Sequence, residues 1–158
     1  RNENLRSTLT TLLRLGVIPI INENDTVSTA ELDRPAGAGA RERIFGDNDK
    51  LSALVLTHID GDLLILLSDV DGLYTGDPRS AGATLIPELS AVTDVIRGYA
   101  KGGNGRGRGG MRTKLEAARI ANQAKRPVII ANGRTPGVLD KICAGENVGT
   151  LIFPGKRS

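Results

Sequence analysis

Leu5, Leu9, Leu12 and Leu13 recur at helical spacing until Gly16 interrupts them, which predicts an amphipathic helix at the start of the chain. The unbroken apolar run Val17–Ile21 then predicts a strand, and Asn22-Glu23-Asn24-Asp25 a polar turn after it. Thr26–Leu32 and Glu42–Phe45 pattern as a hairpin across Asp33–Arg41, whose Pro- and Gly-containing centre has no packing period. Further on, Asp49–Ile59 predicts a helix, Leu63–Leu67 a strand and Val92–Tyr99 a helix. Met111, Leu115, Ala118 and Ala121 share one face of a helix predicted over Met111–Ala124. Pro127–Ala131 predicts a strand, Gly137–Ala144 a helix and Gly149–Phe153 a last strand. Strands alternating with helices imply an α/β fold: a mostly parallel sheet covered by helices on both faces.

In such sheets ligands bind beyond the carboxyl ends of the strands. That position is held here by Ser68-Asp69-Val70-Asp71-Gly72-Leu73-Tyr74-Thr75-Gly76-Asp77-Pro78-Arg79, with turn chemistry at Asp71-Gly72 and Asp77-Pro78. Two other polar regions flank it in sequence. Asn22–Asp25 is answered by Gly46-Asp47-Asn48-Asp49, and a glycine-rich run from Gly102 to Gly110 leads into Met111-Arg112-Thr113-Lys114. A polar turn after a strand accounts equally well for Asn22–Asp25 taken alone.

With 158 residues, 25% charged and 39% hydrophobic, the sequence is that of an ordinary folded domain with one core. Two Tyr, two Phe and no Trp argue against a stacking platform for single-stranded nucleic acid. The net charge of +3 is modest, and the basic clusters at Arg106, Arg108, Arg112 and Lys114 suit a nucleotide phosphate as readily as a nucleic acid. The single cysteine, Cys143, excludes an internal disulfide and reads as a buried thiol in a helix. His58 lacks a Cys or His partner in sequence and reads as structural or surface-borne. No apolar stretch has the length of a membrane span, and a cytoplasmic setting without membrane or nucleic-acid partners is expected.

Taken in this order, the three polar regions resemble the amino acid kinase superfamily, and within it the glutamate 5-kinase family. The resemblance runs from about Leu5 to Phe153, and the whole of residues 1–158 reads as a partial kinase domain. Residues 22–49 are its glutamate-site segments and 63–153 its nucleotide-binding part. What the resemblance implies is transfer of the ATP γ-phosphoryl group to the γ-carboxylate of L-glutamate, the first step of proline biosynthesis, with Mg²⁺ held by the phosphates and water. A carboxylate acceptor is already ionised at neutral pH, so alignment and charge neutralisation are what the protein must supply.

Residue by residue, the resemblance makes Lys114 the charge-neutralising lysine and Asp49 the aspartate that orients it. Asp25, Asn48 and Asn22 match glutamate-binding positions. Ser68, Asp69, Tyr74, Asp77, Gly107, Arg108, Gly109, Gly110, Met111 and Lys114 match the nucleotide side. Without the resemblance, Lys114 is an exposed lysine in the first turn of a helix, and Asp49 an N-cap for a helix starting at Lys50 or Leu51. Asp71 is a bracing or turn residue. No side chain is assigned to a metal. Arg108 stands where the family carries threonine, and Asp33–Arg41 is longer than usual, as a lid or a tolerated insertion.

In the family an N-terminal βα segment carrying a second lysine and a serine precedes the first helix seen here. These residues alone are therefore expected to bind nucleotide without turning over. Homo-oligomerisation and inhibition by proline are also implied. The rival readings are an acetylglutamate or aspartate kinase, a silent nucleotide-binding fragment, and, less well matched to the acidic segments, a nucleic-acid module.

Overall fold

The computed structural model describes residues 2–22, 48–90, 92–93, 96, 98 and 108–155. The predicted hairpin, the Asp33–Arg41 insertion, Asp25 and Gly107 lie outside the described residues, as does most of the helix predicted over Val92–Tyr99, of which Ile96 and Gly98 are helical.

Helix α1 (Asn2–Arg14) ends at Gly16, whose φ of 72° lets Val17 N–H donate back to Leu12 O. Helix α2 (Asn48–Ile59) leads into β1 (Leu64–Ser68), and β2 is the two-residue Glu88–Leu89. Helix α3 (Arg108–Gln123) leads into β3 (Val128–Asn132), followed by α4 (Val138–Cys143) and β4 (Thr150–Ile152). The sheet order is β1-β3-β4-β2. β1 pairs with β3 in parallel, from Leu64↔Val128 to Ser68↔Asn132; β2 and β4 are also parallel, and β3 and β4 antiparallel. The six helical residues of α4 rise about 9 Å, and after this short helix β4 enters antiparallel beside the end that β3 has just reached.

Alternate strand residues separate two cores. Leu64, Leu66, Val128, Ile130 and Ile152 pack with Ala53 and Leu56 of α2 and Leu115, Ala117, Ala118 and Ala121 of α3. On the opposite face Ala131, Ile65 and Ile129 pack with Val138 and Ile142 of α4. Both faces are thus covered, and two of the three strand pairings are parallel, as the pattern predicts. The alanines leave little between α2 and α3, which lie against each other along the first core. Each of these helices runs back over the strand it precedes, and those strands are parallel, so their N-termini lie side by side at the carboxyl end of β1 and β3.

Two expectations are corrected, and one strand is added. Val17–Ile21 is not a strand: among the described residues no strand offers it a ladder, and Ile18 and Ile20 are 87% and 97% exposed. An apolar run specifies a strand only where a neighbour takes its backbone hydrogen bonds. Cys143 is exposed, because α4 buries Val138 and Ile142 and turns its last residue outward. The short β2 was not foreseen; two residues carry no period.

Two glycines are set by backbone geometry. Gly149 has φ 75°, and a Cβ there would collide with the carbonyl of Ile130. Gly72 lies against the buried Thr150, whose hydroxyl accepts from Leu73 N–H at 2.8 Å and donates to Ile86 O at 2.6 Å. That one hydroxyl fastens the loop after β1 to β4.

Candidate active site

The parallel packing of α2 and α3 brings Asp49 and Lys114 together across 65 positions of sequence. Lys114 Nζ donates to Asp49 Oδ1 at 2.9 Å and to Oδ2 at 3.1 Å, with side chains only 13% and 19% exposed. Thr113 Oγ1 donates to Asp49 Oδ2 at 2.8 Å. A pair this far out of water holds its geometry better than a surface pair, because water and salt compete less for either partner. One residue further along α2 and two along α3, Lys50 Nζ lies 2.7 Å from Glu116 Oε2, and Arg112 Nε donates to Glu116 Oε1 at 3.3 Å. The hydrogen bond from Lys50 is the main reason the Glu116 carboxyl sits below its ordinary pKa.

Both expectations from local pattern are revised here. Helix α2 begins at Asn48, so Asp49 is inside the first turn, where its charge suits the helix dipole, and its carboxylate goes to Lys114 and Thr113 instead of capping. Helix α3 begins at Arg108, so Gly109 and Gly110 are helical and Lys114 is the seventh helical residue, beyond the first turn. What holds Lys114 is therefore the Asp49 carboxylate, not an unfavourable place at a helix end awaiting an anion.

The second group stands where β1 and β3 end. Ser68 and Asn132 are register partners, and Gly133 N–H donates to Ser68 O at 2.9 Å. Ser68 Oγ donates to Asp69 Oδ1 at 3.4 Å, and both polar groups are accessible. Asp71 is fully engaged. Its Oδ1 accepts from Asn132 Nδ2 at 2.9 Å and its Oδ2 from Tyr74 Oη at 3.1 Å. Partial burial, then the Asp71 hydrogen bond and charge, raise the Tyr74 pKa above the usual phenol value. Asp77 closes its own turn: Oδ1 accepts from Arg79 N–H at 2.9 Å and its carbonyl from Ser80 N–H at 2.8 Å. Tyr74, Asp71 and Asp77 thus brace the loop, leaving Ser68 and Asp69 as its presented polar groups.

Of the other residues expected at the site, Met111 packs against the first core, Gly110 is exposed in α3, and Asn48 is exposed at the start of α2. Arg108 and Gly109 open α3. Asn22 is exposed in an irregular segment. Pattern reading missed Asn132 and Thr113. Asn132 had a signal, since it ends an apolar run as Ser68 does; the role of Thr113 depends on a neighbour 64 positions away and had none.

The chain is 46% identical over 156 residues to the glutamate 5-kinase of Nitrosococcus oceani, covering 98% of this chain and 39% of that one. It is 50% identical over 152 residues to the glutamate 5-kinase of Burkholderia mallei, covering 95% and 38%. The chain therefore spans about two fifths of the length of these curated relatives. In fold it is similar to the UMP kinase of Bacillus anthracis, with a TM-score of 0.64 at 24% identity over 96% of this chain and 52% of that one. Residues 1–132 match the model of the amino acid kinase family, and the chain belongs to that family.

Proposed function

We propose that the full-length protein transfers the γ-phosphoryl group of ATP to the γ-carboxylate of L-glutamate, giving L-glutamyl 5-phosphate and ADP. The observation that carries this reading is the shielded Lys114 ammonium, gripped by Asp49 beside the carboxyl ends of the parallel strands. Glutamate as acceptor rests on the two relatives named above. In the transfer a carboxylate oxygen bonds to the γ-phosphorus as the bond to the bridging oxygen breaks, and ADP leaves; no proton need be removed from the acceptor. Lys114 offsets the charge that develops on the transferring oxygens, and Asp49 keeps its ammonium in place.

The residues present suit a magnesium nucleotide. Ser68 and Asp69 offer an accessible hydroxyl and carboxylate, and the N-terminus of α3 opens at the same end of the sheet with no acidic residue in its first turn. Mg²⁺ is proposed to arrive with the nucleotide phosphates, which together with water supply most of its ligands. Bound there, the ion supplies further charge neutralisation. Asp25, Asn48 and Asn22 are proposed to bind glutamate. Homo-oligomerisation, inhibition by proline and a cytoplasmic setting belong to the same reading. Among the described residues no helix is long and apolar enough to cross a membrane.

A coupled ADP-release assay with L-glutamate, L-aspartate, N-acetylglutamate and UMP tests the assignment. Turnover with L-glutamate well above the other three is expected; preference for another acceptor overturns it.

A further inference from the structure

We infer that Thr113 is a positioning residue: its hydroxyl locks the rotation of the Asp49 carboxylate and so fixes where the Lys114 ammonium stands. The inference rests on the kinase reading of this site for its consequence in turnover, but its geometry stands on the contacts alone. The terminal torsion of an aspartate is broad, so a carboxylate held by one flexible lysine can swing and carry the lysine with it. Here two consecutive residues of α3 engage one carboxylate of α2. Lys114 Nζ reaches both oxygens, and Thr113 Oγ1 takes Oδ2 at 2.8 Å. The lysine contact is the longer of its two, 3.1 Å against 2.9 Å, on the oxygen it shares with Thr113.

A hydroxyl has one proton to give. The competing acceptor for Thr113 is Gly110 O, 2.9 Å away in its own helix, and the charged carboxylate is the stronger partner. In a helix a threonine divides between two χ1 rotamers because its hydroxyl can also reach a carbonyl one turn back, and the rotamer adopted here puts Oγ1 within reach of both Gly110 O and the Asp49 carboxylate. Two attachments from one helix to a single carboxylate define its plane; one does not. For a group whose task is to meet developing charge, a small displacement is costly.

Thr113→Val keeps the shape and removes the proton, and Thr113→Ser restores it. In the full-length protein, Thr113→Val is expected to lower kcat by about tenfold or more while leaving KM for glutamate and ATP within about threefold. Thr113→Ser should recover most of the loss, and the two variants should melt within a few degrees of the parent. Unchanged kcat in Thr113→Val, or a serine variant as impaired as the valine one, overturns the inference. A second measurement needs no substrate: competitive acetylation of Lys114 with acetic anhydride, read by mass spectrometry. Thr113→Val is expected to label Lys114 several-fold faster than the parent, and equal rates overturn the positioning role. An inactive parent enzyme would sink the proposed function, while the labelling rates would still decide this inference.

Discussion

The two ends of the sheet are held together by opposite means. At the amino end of β1 and β3, Arg126 lies 2.7 Å from Asp60 and 3.7 Å from Asp62, whose side chains are 72% and 100% exposed. At the carboxyl end the Asp49–Lys114–Thr113 group, the Thr150 hydroxyl and the close fit of Gly149 on Ile130 are largely withdrawn from water, beside the exposed contacts of Asp71 to Asn132 and Tyr74. Exposed ion pairs cost little to make and contribute little. Sheltered polar groups must be satisfied at both partners, and in return fix their geometry. The sheltered contacts gather where phosphoryl transfer is proposed, whereas Arg126 at the opposite end is paired with exposed carboxylates.

The sharpest break in the comparison is Lys114→Ala in the full-length protein. Losing a positioned charge in the transition state is expected to lower turnover by about 10²–10³. Steady-state kinetics check this, and near-parental kcat would make Lys114 a structural lysine. Next is Gly149→Ala, which forces an L side chain into positive φ and into the Ile130 carbonyl. A loss of about 3 kcal/mol or more is expected by urea denaturation, from backbone strain and overpacking together. At the amino end, Arg126→Ala should cost only ~0–1 kcal/mol, less in high salt, and leave kcat unchanged. A cost as large as that of Gly149→Ala would erase the distinction between the ends.

The smallest effect concerns pH. The folded-state pKa of Glu116 is lowered, first by the Lys50 hydrogen bond, so its contribution is present above the usual carboxylate range and lost as pH falls through the folded value. Lys50→Met should therefore destabilise the protein slightly near neutrality and progressively less in acid, as the pH falls through the folded-state value and Glu116 becomes protonated in both states. Urea midpoints followed from neutrality into acid measure the difference. A gap that persists in acid would assign the effect of Lys50 to packing.

Much of this was legible in the chain. Short continuous apolar runs bounded by turn residues gave β1, β3 and β4 within a residue or two, because strands covered on both faces need apolar side chains at successive positions. The leucine and alanine stripes gave α1, α2 and α3, and Ser68-Asp69 could be placed at a strand's carboxyl end. Where pattern failed, a partner was needed. Val17–Ile21 has the apolar side chains of a strand, but Pro19 at its centre has no N–H to give a ladder, and Ile18 and Ile20 lie exposed. Asp49 read locally as a cap and Lys114 as a first-turn lysine, since helix starts are set by a few weak interactions that tertiary packing outweighs.

What the sequence determined by itself was the order of elements, which faces they bury and which polar residues end the strands, all consequences of short-range periodicity. The family resemblance implied that Asp49 orients Lys114, and only the tertiary structure decided that Thr113 of α3 would join it on that one carboxylate of α2. That contact exists because two alanine-lined helices pack side by side on two parallel strands, and no residue near Asp49 in sequence carries the information.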